Sequence, residues 1–226
     1  MLHAWHAHAI EGHSKIIIKT VDSDVVVMAL YAFPRMNNVE HLWVEYGSGI
    51  HLQYLPIHDM NDKIPTGVSN LLPFFHAFTG ADTVSSFGGI GKMTAWKTWM
   101  SFREVDTAFH EYSTMPLHIS HHSNNFLVLQ CFVVLMYQTS SSADTVNEAR
   151  RLLFSQFNRP IENISPTSDT LFNHLKRAML QCFVWTNCLE REVEHRDPCQ
   201  WGWKKRGETY EPVWSENHDI TNIIYD

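Results

Sequence analysis

Asp22 and Asp24 stand two residues apart in TVDSDVVV, at the end of the β-branched run KIIIKTV. On extended backbone such a pair points to one side, and two carboxylates so placed repel unless a cation lies between them. The carboxyl end of a strand in an α/β sheet is where ligands collect, and hard oxygen donors suit Mg²⁺ or Mn²⁺. The competing reading is a helix start, with Asp24 as its cap and Asp22 as a solvated loop residue. Farther along, HAFTGADTVSSFGGIGKMTAW joins Asp82 to a glycine-rich basic turn. Asp82 is either a further metal ligand or the cap of an ordinary turn. Gly89 and Gly91 let backbone N–H groups approach an anion, and a helix beginning at Lys92 favours negative charge at its start. Lys92 and Lys97 add side-chain charge. The spacing is not that of a Walker loop, and no strand precedes it as a dinucleotide fingerprint needs. The chemistry on offer is a divalent cation near a held phosphate, or two plain loops.

Other reactive side chains are less organised. His3, His6 and His8 cluster, as do His118, His121 and His122, but neither set has the spacing of a zinc protease. Cys131, Cys182, Cys188 and Cys199 form no CxxC pair and fit neither a disulfide framework nor a zinc ribbon; reduced thiols in an intracellular protein are expected. Trp96, Trp99, Trp201, Trp203 and Trp214 read as core or docking residues rather than base-stacking platforms.

The elements that must position these groups follow from patterning. The stretch 1–10 reads as a helix without an N-cap, which suggests that the natural beginning lies upstream. KIIIKTV (15–21) reads as a buried strand; 24–33 is apolar throughout and fits helix or strand by periodicity, with a helix entered through the DSD turn preferred. VEHLWVEYG (39–47) and IHLQYLPI (50–57) form a hairpin. From about residue 66 helices dominate, at 67–80 with Pro73 inside or starting it late, at 91–102, over REVDTAFHEYS, and at 123–139, 144–158 and 168–189; the tail from 196 carries tryptophans without periodicity. The sum is an α/β sheet followed by a helical region. Three strands make a small sheet, which again suggests strands upstream. With 226 residues and 44% hydrophobic content the chain can fill a core, and its net charge of −7 excludes coating of nucleic acid by bulk charge. FLVLQCFVVLMY is too short to span a bilayer, so no membrane partner is expected. KKR at 204–206 is too short to fix a nuclear address, leaving an intracellular location with the nucleus as one option.

Asp-Ser-Asp after a strand, Gly-Ala-Asp after a helix and Gly-Gly-Ile-Gly-Lys into another helix occur in an order that resembles the flap-endonuclease (XPG-like) branch of the PIN-like nucleases. TVDSDVVVMAL is similar to that family's second acidic motif, FTGADTVSS to its glycine-x-aspartate metal motif, and SSFGGIGKMTAW to its helix-two-turn-helix (69–102 here), which holds duplex DNA by the backbone. Closer still is the resemblance to a group of mobile-element-linked animal proteins. These carry a GCDTVSSFxGxGKxTAW stretch, then VNEAR and PT…H…RA helices, matched here at 146–150 and 166–178, and WGW and PVW in the tail.

The resemblance implies an incomplete PIN-like sheet with helices over 1–112, a helical region over 113–190 and a tryptophan-containing tail over 191–226. It implies Asp22, Asp24 and Asp82 as metal-binding and catalytic residues, Mg²⁺ or Mn²⁺ as cofactor, and Gly89, Gly91, Lys92 and Lys97 as contacts to a DNA backbone. It also implies a gap. The family's first acidic cluster would precede the stretch LHAWHAHA, before Met1, and Gly-Ala-Asp stands where the closer group has Gly-Cys-Asp. Two-metal hydrolysis needs one ion to generate hydroxide and another to stabilise the leaving oxygen. The expectation is therefore a nuclease-related domain that hydrolyses phosphodiesters in a complete parent and weakly or not at all as this chain. The alternatives are a non-catalytic nucleic-acid-binding scaffold and a helical protein-interaction module.

Overall fold

A computed structural model describes residues 12–116, 118–155 and 163–215. The helix expected over 1–10 lies outside them. The chain divides into two compact units: Met1–His76 with Cys182–His195, and Ala77–Gln181 with Arg196–Asp226. This division does not coincide with the boundaries expected near residues 112 and 190.

The first unit is built on a three-stranded sheet in the order β1 (Lys15–Thr20), β2 (His41–Tyr46), β3 (Gln53–Pro56). β1 and β2 are parallel, with Ile16 opposite Leu42 and Ile18 opposite Val44; β2 and β3 form the expected antiparallel hairpin. Parallel neighbours need a crossover, and α1 (Ser23–Ala32) supplies it. β1 is not buried on both sides, as its run of isoleucines suggested. Ile16 and Ile18 are buried while Ile17 is 64% exposed, because strand side chains alternate and the described residues cover only one face. LPIHD continues not as strand but as a short helix, α2 (Ile57–Lys63), whose Ile57 is fully buried and which packs on β2.

The second unit is helical. α3 (Val68–Phe78) and α8 (Ser168–Thr186) each run through the division. Between them lie α4 (Lys92–Ser101), α5 (Asp106–Ser113), α6 (Asn124–Tyr137) and α7 (Val146–Phe154). Their starts obey capping chemistry: Ser123 accepts from the N–H of Phe126, and Thr145 from that of Glu148. The core is aromatic, with Phe109 ringed by Trp99, Phe132 and Phe78 at centroid distances of 5.3, 5.4 and 6.4 Å. Edge-to-face contacts of this kind add to the burial itself. The tail, expected to lack periodicity, holds an antiparallel ribbon of β4 (Trp203–Arg206) and β5 (Thr209–Pro212). No helix of the described residues is long and apolar enough to cross a membrane.

Candidate functional site

The first acidic turn takes the helix-start form, with the cap two residues earlier than expected. Asp22, not Asp24, is the N-cap of α1, and its Oδ1 accepts the backbone N–H of Asp24 at 2.8 Å. Asp24 then sits in the first helical turn, where its charge suits the helix dipole. Its Oδ1 lies 2.8 Å from Nε2 of His76, an N–H donated to a carboxylate. His76, 7% exposed, lies beside Trp185 at a centroid distance of 5.5 Å. The sequence reading missed His76 because its partner is 52 residues away.

Each member of the acid pair thus commits an oxygen to the protein. Mg²⁺ demands near-octahedral oxygen coordination. Among the described residues no group of three or more His, Cys, Asp or Glu side chains is gathered so as to hold a metal ion. The described residues do not by themselves fit a Mg²⁺ or Mn²⁺ centre, and no hydrolytic step is derived through one. Asp82 belongs to the second unit, where it is exposed and makes no hydrogen bond or ion pair among the described residues. The cysteines are unpaired. Burial pushes the Cys182 thiol up to about 12 and Cys188 to about 11, which keeps both protonated and poor metal ligands.

In the second unit the Gly-Ala-Asp turn and the Gly-Gly-Ile-Gly-Lys turn line one open cleft of about 460 Å³. Its wall includes Thr79, Gly80, Ser85, Ile90, Gly91 and Lys92. The Lys92 ammonium closes the two turns on each other, donating to the Gly80 carbonyl at 2.6 Å and to the Thr79 hydroxyl at 3.2 Å. Gly91 is the N-cap of α4 and offers no side-chain acceptor, and the first turn carries no acid. The positive end of the helix is therefore left uncompensated by any side-chain oxygen from its cap, the condition under which a helix start attracts an anion.

The four residues assigned to backbone contact part company here. Gly91 and Lys92 line the cleft. Gly89 does not: its φ of +71° and the 2.8 Å approach that a Cβ would make to Asn163 Oδ1 explain the glycine without a ligand. Lys97 is exposed but lies outside the cleft lining, on the outer side of α4.

The cleft is held from behind by α8. His174 is 5% exposed. Its Nε2 lies 2.7 Å from the Phe78 carbonyl, which fixes the N–H on that nitrogen, so Nδ1 accepts the Ser85 hydroxyl at 3.1 Å. Burial lowers its pKa to about 4, so the ring is neutral at physiological pH and a weak base. Its role is to tie the TVSS turn to α8. One turn on, Arg177 presents the same helix face. Its Nη1 donates to the carbonyls of Gly202 and Val213 at 3.1 and 2.7 Å. The PT…H…RA, WGW and PVW stretches, which had no function in sequence, therefore brace the cleft. No protein-family model matches this chain, and neither a curated protein nor a solved structure shows significant similarity to it.

Proposed function

We propose that this chain is a nucleic-acid-binding module of nuclease-like build, which grips a DNA backbone phosphate in the cleft between Gly80 and Lys92 and turns over phosphodiesters weakly or not at all. The observation that carries this reading is the shared cleft: a helix start without a side-chain cap and a clamped ammonium line one open surface. The resemblance to the helix-two-turn-helix of flap endonucleases supports it. A phosphate contact carries no base information, so the binding is sequence-independent and weak, with a Kd on the order of 10⁻⁴ to 10⁻⁶ M at physiological salt. Divalent-metal hydrolysis would need further carboxylates supplied by a longer parent.

Gly91→Val is the decisive variant. Gly91 has φ −85° and ψ 160°, ordinary extended backbone, and a Cβ there would meet nothing within 4 Å. The substitution should cost under about 1 kcal/mol of stability, the loss of a tolerable cap residue. It should weaken binding to a blunt duplex by roughly tenfold, because a branched side chain holds the phosphate off the N–H groups. Lys92→Ala mixes effects, since it also frees Gly80 and Thr79. Lys97→Ala tests charge alone. The slope of log K against log salt is expected to be about −1, from Lys92 alone, and Lys97→Ala, outside the cleft, should leave it unchanged. Unchanged duplex affinity in Gly91→Val would overturn the phosphate grip.

A separate assay addresses turnover. With Mg²⁺ or Mn²⁺ present, little or no cleavage of flap, nicked or single-stranded DNA is expected from these 226 residues. Robust cleavage abolished by Asp22→Ala would refute a non-catalytic module.

A further inference from the structure

Ser85 and Ser86 line a second cavity besides the phosphate cleft, of about 200 Å³ and wholly within the second unit. Its walls are apolar. Phe87, Tyr137 and Ile164 are buried there, Pro166 lies beside them, and Trp214, 53% exposed, marks the mouth. Among the described residues no carboxylate, ammonium or guanidinium lines it, and the His174 ring in its wall is neutral at physiological pH.

Most of the polar groups in the wall are already used. The Ser85 hydroxyl donates to Nδ1 of His174, whose other nitrogen is taken by the Phe78 carbonyl. Thr170 accepts the Thr167 hydroxyl at 2.8 Å. Tyr137 is different. It is 7% exposed, yet its hydroxyl makes no hydrogen bond among the described residues, whereas a tyrosine buried to that extent usually finds a partner for its O–H. Burial pushes its pKa up to about 12, so the group keeps its proton and is a donor in wait of an acceptor.

These features specify a ligand. A cavity of this size would hold several waters, each needing polar partners that apolar walls do not supply. Apolar cavities of about 150 Å³ take up a molecule the size of benzene, so this one has room for a single substituted ring. The ligand is uncharged, because the lining offers no counter-charge and a buried charge without one is costly. It is aromatic, because Phe87, Tyr137 and Trp214 surround it and ring-on-ring contacts gain beyond the area they bury. It carries an acceptor, because Tyr137 donates. A phosphate, a nucleotide or a metal ion brings a charge that this lining does not answer.

We propose that this cavity binds a small uncharged aromatic molecule with one hydrogen-bond acceptor, which takes the Tyr137 hydroxyl. The inference stands apart from the phosphate grip, since it concerns another cavity and a ligand without charge.

The test titrates the protein with three one-ring probes of nearly the same size, followed by ligand-observed NMR: acetophenone, which has an acceptor and no charge; ethylbenzene, which has neither; and benzoate, which is charged. Acetophenone should bind with a Kd on the order of 10⁻⁴ M. Ethylbenzene should bind roughly tenfold more weakly, the worth of one hydrogen bond, and benzoate more weakly than either. Tyr137→Phe keeps the ring and removes only the hydroxyl. It should bring acetophenone down to the ethylbenzene level and leave ethylbenzene unaffected. Trp214→Ala, at an exposed position, gives a second readout that does not depend on tolerance of a change inside the core; it should weaken both neutral probes roughly fivefold. Absence of binding by acetophenone, benzoate binding as tightly as acetophenone, a preference for acetophenone that survives Tyr137→Phe, or neutral probes indifferent to Trp214→Ala would each overturn the assignment.

Discussion

Acidification from neutral pH to about pH 4 is expected to remove about 3 kcal/mol of stability through one residue, His174. Burial holds its folded-state pKa at about 4, against 6.5 for an ordinary histidine. Between those values the unfolded chain carries the proton and the folded chain does not. Protons therefore favour unfolding in that window, and stability rises with pH across it. The contribution is complete above 6.5 and is lost as pH falls from there toward 4. At about 1.4 kcal/mol per pH unit the window is worth about 3 kcal/mol. Protonation would also take away the lone pair that accepts the Ser85 hydroxyl, so the turn lining the phosphate cleft should loosen before the helices melt. The check is denaturant unfolding of the parent and of His174→Gln at neutral pH and at about pH 4.5. The variant should be less stable at neutral pH, and the gap should close in acid. A gap of equal size at both values would sink the assignment.

Phe109→Ala is expected to cost about 4 kcal/mol, within the usual range for deleting a fully buried phenyl ring. Phe109 has no exposed surface and touches three other rings, so the neighbours cannot collapse into the void without losing their own contacts. Trp99 also donates its indole N–H to Asp106 at 2.6 Å, which limits how far it can follow. Phe154, 70% exposed at the end of α7, is the control, and Phe154→Ala should change stability by less than about 0.5 kcal/mol. Thermal unfolding of both variants separates the cases. A drop of roughly 10 °C for Phe109→Ala is expected in a chain of this size, and a loss no larger than that of the control would show that the aromatic cluster does not organise the second unit.

Local signals placed most elements well. β-Branched and alternating residues marked β1 and β2, Gly47 and Ser48 turned the hairpin, and Ser123 and Thr145 set the starts of α6 and α7, because all of these depend on neighbours a few residues away. The tendency of KIIIK to form a strand was likewise local, but which side of that strand is covered depends on partners elsewhere, and Ile17 is left exposed. α2 was hidden because LPI continues a strand pattern, and its helix is decided by the packing of Ile57 on β2. The β4–β5 ribbon escaped notice because four-residue strands carry too little periodicity to read. The sequence by itself determined the chemistry on offer: an acidic pair after a strand, a lone Asp82, and a glycine turn opening a helix. Only the tertiary structure decided how those groups are used, because each deciding contact joins residues 12 to 96 positions apart. Asp24 is held by His76, Lys92 is clamped on Gly80, Ser85 and Phe78 are held by His174, and Arg177 is anchored to the tail. Such pairings are fixed by how helices pack and by the cost of leaving a buried polar group unsatisfied, and neither can be read from local spacing.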